Sequence, residues 1–180
     1  MILSSISTTI QDIRTIEARG PWATKSGGSL NVLMALPQDE ATMFFDANHP
    51  GFSAIEQATG VNIRGLRVYN VSDVPRGSIG GMEWHGVRTE FVSALGGKAL
   101  WQCADVDGKE TEFVLDGTRS VLLPPGILHT YIALEDNTRL QVVCNTLFIP
   151  EDPRTHDTYP QAAFTALQAA RAFPPIRPGR

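Results

Sequence analysis

The sequence predicts an all-β sandwich or barrel with an N-terminal extension and a C-terminal helix. Between residues 64 and 146, short apolar segments alternate with turn sequences such as the Asp-Gly pairs that begin at Asp107 and Asp116. Many short strands at near-regular intervals are typical of a sandwich or barrel, whereas βαβ units would need helical segments between the strands. After Tyr159-Pro160 the apolar residues instead follow a helical spacing.

The elements can be justified in chain order. Residues 1–60 mix short apolar runs with turn-rich stretches, which predicts one or two strands and a short helix near Phe52–Thr59. This extension is expected to act as a lid or a dimer contact. The barrel strands are predicted within residues 61–150, in the segments RGLRVYNV, EFVSAL, ALWQCADV, ETEFVL, SVLLP, HTYIAL and RLQVVCNT. Residues 151–180 form a tail whose helix begins after Pro160, a residue that suits the first helical position.

Composition favours a single domain that acts on a small molecule. A chain of 180 residues with 42% hydrophobic residues can bury one substantial core. The formal net charge of -4 gives no support to a nucleic-acid or membrane-surface partner, because such partners usually require a basic face. Met1–Ile10 lacks the features of a secretion signal, and no long apolar run follows, so a cytoplasmic protein is expected. Cys103 and Cys144 lie in apolar segments and are expected to be buried free thiols.

The segment MEWHGVRTEF concentrates ionisable groups. Side chains two positions apart on a strand share a face, so Glu83 and His85 are expected to point the same way. If Gly86 breaks the strand, Glu90 begins the next strand and can face the same interior. His129 follows the turn sequence LLPPGIL and opens another strand. Trp84 is expected to face away from this group, towards an outer layer or a subunit contact.

Two chemistries suit these four side chains. Two imidazoles and two carboxylates could bind one divalent ion of iron, manganese, nickel or zinc through Glu83, His85, Glu90 and His129. The same groups could carry out metal-free acid–base catalysis, in which burial shifts the pKa of a carboxyl group or an imidazole towards neutrality. The residues alone leave both possibilities open.

The spacing of these residues resembles the two motifs of the cupin superfamily. Gly77, Glu83, His85, Glu90 and Gly97 follow the spacing of the first motif, with Glu83 at the position of its first histidine. The second motif resembles the stretch from Gly117 through Pro124 and Gly126 to His129, with one extra residue after Gly117 and with Ala133 at the usual asparagine position. The resemblance implies a jelly-roll, or double-stranded β-helix, barrel.

Within the RmlC-like cupins, residues 64–150 most resemble enzymes that act on dTDP-linked keto-deoxysugars. These are the sugar 3,4-ketoisomerases of the WxcM-like or FdtA-like group and the cupins related to dTDP-4-dehydrorhamnose 3,5-epimerase. The ketoisomerases typically carry Arg-Gly-x-His-x-His, which supplies the catalytic base. In this chain Gly80 and Glu83 stand at the arginine and first histidine positions, and His85 keeps the second histidine. Phe148 stands where the epimerases have a tyrosine that acts as an acid.

The resemblance also suggests substrate contacts. A dTDP-sugar would require cations for its diphosphate, and guanidinium groups pair with phosphate oxygens in a bidentate fashion. The candidates are Arg67, Arg76, Arg88 and Arg119. Tyr69 and Tyr131 lie in strands and are candidate acids if their hydroxyls face the cavity.

Three functions follow from this resemblance. The first is a homodimeric isomerase or epimerase in which His85 and Glu83 are the base and its partner, His129 is a polariser or second proton carrier, and Tyr69 or Tyr131 is an acid. It would require no cofactor. The second is a metal-dependent cupin enzyme that uses the four-residue ligand set. The third is a non-catalytic sugar-binding cupin.

Overall fold

The structure is a computed structural model that describes residues 7–36, 41, 42, 44 and 49–172. The strands in this part of the chain are β1 (Arg14–Glu17), β2 (Arg19–Ala23), β3 (Ser29–Val32), β4 (Arg64–Val74), β5 (Ile79–Trp84), β6 (Glu90–Gly96), β7 (Ala99–Ala104), β8 (Glu110–Leu115), β9 (Arg119–Leu123), β10 (Leu128–Ala133), β11 (Thr138–Thr146) and β12 (Tyr159–Pro160). The helices of four residues or more that have assigned bounds are α1 (Pro50–Thr59) and α2 (Gln161–Ala172), and Ile10–Asp12 and Pro153–Thr155 form short 3₁₀ turns. The all-β prediction is confirmed.

Two antiparallel sheets form the barrel. The first has the strand order β1-β9-β6-β11-β4, and the second has the order β12-β5-β10-β7-β8. β2 and β3 form a separate hairpin. β1 comes from the N-terminal extension but pairs with β9, so part of the extension belongs to the barrel sheet itself.

Strand alternation places the core between the two sheets. Inward residues of both sheets form one apolar cluster, which includes Val92, Trp101, Cys103, Leu115 and Leu140. On the outer face of the first sheet, Phe91, Leu122 and Val143 are covered by Phe44 and Leu36 of the N-terminal region. A strand that is buried on both faces carries apolar residues at successive positions, as Phe91 and Val92 do in β6.

The C-terminal helix α2 packs against the outer face of the second sheet. Phe164 is fully buried against Trp84, and the Trp84 ring also stacks on Tyr159 with 4.7 Å between ring centroids. Trp84 is therefore an outer-layer core residue within this chain, on the side of the strand that the sequence predicts. None of the helices in the described ranges is both long and apolar enough to cross a membrane.

Candidate active site

The paired strands β5 and β10 bring the two halves of the site together. In their antiparallel register His129 lies opposite Glu83, and a bulge follows because Thr130 lies opposite Gly81. Met82, the extra residue, adopts a positive φ of 64°. β5 has little apolar alternation of its own, and it is held in the sheet by its pairing with β10 on one side and β12 on the other.

A turn between β5 and β6 delivers the other two residues. β5 ends at Trp84, so His85 is the first residue of the turn, and Glu90 is the first residue of β6. Glu90 lies opposite Cys144 of β11 and Leu123 of β9 and is only 3% exposed. The predicted break at Gly86 is present, and it allows Glu90 and His85 to face one interior.

The carboxylate of Glu90 lies between the two imidazoles. Its Oε1 is 3.4 Å from Nε2 of His85, and its Oε2 is 3.7 Å from Nε2 of His129. The guanidinium of Arg88 is also 3.4 Å from Oε1 and is buried with it. Burial raises the pKa of Glu90, but His85, His129 and Arg88 together hold that pKa below its ordinary value. Glu90 is therefore a buried carboxylate that stays ionised.

Both imidazoles have their Nδ1 atoms fixed by main-chain carbonyl groups. Nδ1 of His85 donates to the Asp157 carbonyl at 2.6 Å, and Nδ1 of His129 donates to the Ile127 carbonyl at 3.1 Å. A ring that donates from Nδ1 carries, when neutral, its lone pair on Nε2. When both rings are neutral, two lone pairs face the Glu90 carboxylate, and when either ring is protonated its Nε2 proton faces that carboxylate instead. This arrangement accommodates a proton or a cation at the centre.

Glu83 joins this group from the more exposed side. Glu83, His85 and His129 each offer one ligand atom, and these atoms lie within 4.8 Å of one another. Glu83 is partly exposed, whereas His85 and His129 are 3% and 4% exposed. Burial lowers the pKa of His129, and the charge on Glu90 opposes this effect. Of these three groups, Glu83 is thus the best placed to meet a molecule that enters the barrel.

The two candidate tyrosines have different surroundings. Tyr69 donates a hydrogen bond of 3.3 Å to Oε1 of Glu90, and its pKa is raised by burial and by the charge of Glu90. Tyr131 is less buried, and burial and Glu83 raise its pKa. The Tyr131 ring occupies the space that a Cβ atom on Gly80 would fill. Tyr131 is therefore the more accessible of the two tyrosines, and its hydroxyl is the one influenced by the Glu83 charge.

The four candidate arginines lie in separate places. Arg67 is on the same strand face as Tyr69, and its guanidinium lies 5.1 Å from the Tyr69 ring centroid and 5.4 Å from that of Phe148. Arg76 is exposed in the β4–β5 turn. Arg88 is committed to Glu90 and to Thr146, whose Oγ1 lies 3.0 Å from its Nε. Arg119 is 3.7 Å from Glu17. The structure therefore brings Arg67 to the candidate site and places Arg88 beneath it.

One residue of the site was missed in the sequence analysis. Asp157 lies in the tail after β11, where its carbonyl holds His85 and its carboxylate holds the turn that follows. No local pattern marks it, because its partners lie about seventy residues earlier in the chain. The sequence likewise carries no signal for the stacking of His156 on Phe148, whose ring centroids lie 4.2 Å apart.

A groove of about 420 Å³ lies elsewhere, on the outer face of the second sheet. It is lined by residues such as Gln102 and Glu112, which alternate along their strands with core residues such as Trp101 and Phe113. Cys103 and His129, which belong to the inner face, also line the groove, so the groove and the Glu83 cluster lie on either side of the strands that carry these two residues.

The chain matches one family and several solved structures. The model of the FdtA family, described as WxcM-like, C-terminal, matches residues 39–163. No curated protein sequence matches the chain.

The structural neighbours include a double mutant of the 3,4-ketoisomerase QdtA from Thermoanaerobacterium thermosaccharolyticum in complex with TDP. It superposes with a TM-score of 0.59 at 15% identity, covering 92% of this chain and 99% of that one. WlaRA, a TDP-fucose-3,4-ketoisomerase from Campylobacter jejuni, gives a TM-score of 0.55 at 17% identity, covering 87% and 96%. A dTDP-4-dehydrorhamnose 3,5-epimerase from Bacillus anthracis gives 0.55 at 14% identity, covering 81% and 79%. At these identities the likeness shows the RmlC-like cupin fold.

Proposed function

Because the chain belongs to the FdtA family of WxcM-like proteins, we propose that it is an isomerase or epimerase that acts on a nucleotide-linked keto-deoxysugar. The observation that carries the proposal is the cluster of Glu83, His85 and His129 around the ionised Glu90. Such a cluster can accept a proton from a substrate carbon and deliver a proton to a neighbouring carbon, and the partial exposure of Glu83 lets the carried proton exchange with solvent.

Glu83 is the group proposed to remove the proton. It is the most exposed member of the cluster, and its ligand atom lies within 4.8 Å of those of both imidazoles. For an isomerisation, removal of the proton from the hydroxyl-bearing carbon next to the substrate carbonyl leaves an enediolate. A proton is then delivered to the former carbonyl carbon, and the hydroxyl proton passes to the former carbonyl oxygen. For an epimerisation, a proton returns to the same carbon from the opposite face. His85 and His129 are proposed to hold or pass the proton, and Tyr131 to donate a hydrogen bond to the developing oxyanion.

Arg67 is proposed to bind the diphosphate. Its Nε is buried and has no hydrogen-bond partner among the described residues, and its guanidinium lies beside the exposed ring of Phe148. A planar guanidinium with a free edge suits a phosphate oxygen, and an exposed aromatic ring suits a nucleobase. The TDP and dTDP-sugar complexes of the structural neighbours support a nucleotide-linked substrate. A homodimer and a cytoplasmic location remain predictions.

The decisive experiment measures proton exchange with solvent. TDP-4-keto-6-deoxyglucose, the ligand in one QdtA structure, is incubated with the protein in deuterium oxide, and deuterium incorporation is followed by NMR. Wild-type protein should introduce deuterium next to the carbonyl, and Glu83→Gln should slow this by roughly 10² to 10⁴ fold. Glu112→Gln, on the outer face of β8, is the matched control and should retain the wild-type rate. Exchange that is unaffected by Glu83→Gln would exclude Glu83 as the base.

A metal-dependent enzyme is the second candidate, and a specific observation favours it. Both imidazoles are oriented through Nδ1 by carbonyl groups, an arrangement that metal-binding histidines commonly show. Their Nε2 atoms lie near the Glu90 carboxylate, and Glu83 offers a further ligand atom within 4.8 Å of theirs. Nitrogen and oxygen donors of this kind suit divalent iron, manganese, nickel or zinc, and a bound ion would polarise the substrate carbonyl.

Elemental analysis separates the two candidates. If the second holds, protein purified without chelators should contain about one equivalent of metal, and His129→Ala should lose it together with activity. Deuterium exchange that persists at the full rate after exhaustive chelation would support the metal-free reaction. Binding of TDP without exchange of any keto-sugar proton would point instead to the sugar-binding cupin.

A further inference from the structure

Asp157 is a buried acidic residue that lies outside both cupin motifs. It is 2% exposed and follows the 3₁₀ turn of Pro153–Thr155, in the tail that leads from β11 to β12. An ionised carboxylate that is removed from water must be compensated by donors. The donors identify the role of this residue.

The carboxylate of Asp157 binds the main chain of the turn between β5 and β6. Its Oδ1 accepts the N–H of Gly86 at 2.8 Å, and its Oδ2 accepts the N–H groups of Val87 at 2.8 Å and Arg88 at 2.7 Å. Three consecutive amides directed at one carboxylate fix the backbone of this turn, because charge-assisted hydrogen bonds are short and strong.

The main chain of the same residue holds the His85 ring. The carbonyl of Asp157 accepts the Nδ1 proton of His85 at 2.6 Å. One residue therefore anchors both the ring of His85 and the turn that carries Arg88 to Glu90. Small displacements of this turn would move two of the groups that surround the cluster.

We propose that Asp157 is a positioning residue for the reaction centre. It keeps His85 in the Nδ1–H tautomer, so that Nε2 faces Glu90 and the Glu83 cluster, and it keeps the turn at 86–88 in one conformation. This role rests on the proposed function, since it is the proton-transfer step that requires the ring to be fixed. Histidine bases in other enzymes are oriented in the same way, by an acceptor on the ring nitrogen that does not react.

The first test needs no substitution in the protein that is measured. Long-range proton–nitrogen NMR of wild-type protein reports which ring nitrogen of a neutral histidine carries the proton, and a His85→Asn sample assigns the signal. At a pH at which the ring is neutral, His85 should be protonated on Nδ1. A dominant Nε2–H tautomer would overturn the proposal, whether or not the protein turns over any sugar.

The second test perturbs the carboxylate. In Asp157→Asn the amide NH₂ must face at least one backbone N–H, so the turn loses an acceptor and the His85 ring should populate the second tautomer. The kcat for exchange of the substrate proton should fall about a hundredfold, because a small misplacement at a reaction centre has an effect of this size. KM should change little. Asp152→Asn is the matched control, because Asp152 lies in the same tail but bonds to Arg154.

The outcomes are distinct. Wild-type tautomer populations and wild-type kcat in Asp157→Asn would overturn the positioning role, and so would a rise in KM alone. If wild-type protein exchanges no proton from any keto-sugar, the proposed function fails, while the tautomer and its dependence on Asp157 are still measured by NMR.

Discussion

The rings of His85 and His129 lie 5.2 Å apart between centroids, although one comes from the turn after β5 and the other from β10. Both present Nε2 to Glu90, and both have Nδ1 bound to a carbonyl. Neither ring can turn its Nδ1 proton towards Glu90 without breaking its own hydrogen bond. Each ring therefore keeps its Nε2 atom directed at Glu90, and Glu83 is the more exposed group that an entering molecule would meet.

Glu90 should make the protein sensitive to acid. Its folded pKa lies below its ordinary value near 4.5, so its contribution to stability is complete above that value and is lost as pH falls through the folded pKa. The folded pKa of His129 also lies below its ordinary value near 6.5, because burial favours the neutral ring. Its contribution to stability is therefore also lost as the pH falls below 6.5. The free energy of unfolding should therefore fall as the pH is lowered from 6.5, and it should fall further once the pH passes below 4.5.

The Glu90→Gln variant measures the contribution of Glu90 to the free energy of unfolding. It leaves the buried Arg88 without its charge partner, so the neutral-pH free energy of unfolding should drop by about 3 kcal/mol. Below pH 4.5 the stability of this variant should decline less steeply than that of wild type. Urea unfolding as a function of pH measures both effects, with exposed Glu112→Gln as the control. Parallel slopes for wild type and Glu90→Gln in this acid range would contradict the lowered pKa.

Much of the fold and of the candidate site could be predicted from the sequence, because the relevant signals are local. Period-two alternation places Glu83 inward and Trp84 outward, and the glycine after His85 allows a turn that realigns Glu90. The spacing of the two cupin motifs then predicts that His129 joins them. The register of β5 and β10 agrees with this prediction.

The remaining features depend on long-range contacts that local patterns do not encode. The pairing of β1 with β9 and the return of the tail to the β5–β6 turn each join segments far apart in the chain. Arg88 lies in an exposed-looking polar stretch, yet it is buried because Glu90 compensates its charge. The sequence shows an arginine whether the side chain forms a buried ion pair or binds a phosphate. Only the tertiary structure distinguishes these two roles.

Cys103 should be chemically inert in the folded protein, although its Cα pairs with that of His129 across the sheet. Burial raises the pKa of the Cys103 thiol to about 12, so at pH 8 on the order of one molecule in ten thousand carries the reactive thiolate. Iodoacetamide followed by peptide mass analysis should find Cys103 unmodified in native protein and fully modified in guanidinium chloride. Rapid native alkylation would contradict the buried position of this thiol.

Gly80 should determine the position of Tyr131. A Cβ atom at residue 80 would overlap the end of the Tyr131 ring, whereas the backbone of Gly80 adopts no positive φ and tolerates alanine. Because the ring is only partly buried it can move aside, so Gly80→Ala should change the melting temperature little but displace the hydroxyl from the Glu83 side of the barrel. Loss of one donor to a developing oxyanion costs roughly 10² to 10³ fold in kcat.

Two further variants, Tyr131→Phe and Gly28→Ala, test whether Gly80 acts through the Tyr131 hydroxyl. Tyr131→Phe removes the hydroxyl without moving the ring, and it should reduce proton exchange to a similar extent as Gly80→Ala. Gly28→Ala lies outside the two barrel sheets, where a new Cβ makes only an ordinary contact with Thr24, and it should behave as wild type. If Gly80→Ala reduces exchange while Tyr131→Phe does not, the tyrosine hydroxyl is not the acid, and Gly80 instead keeps space for the substrate.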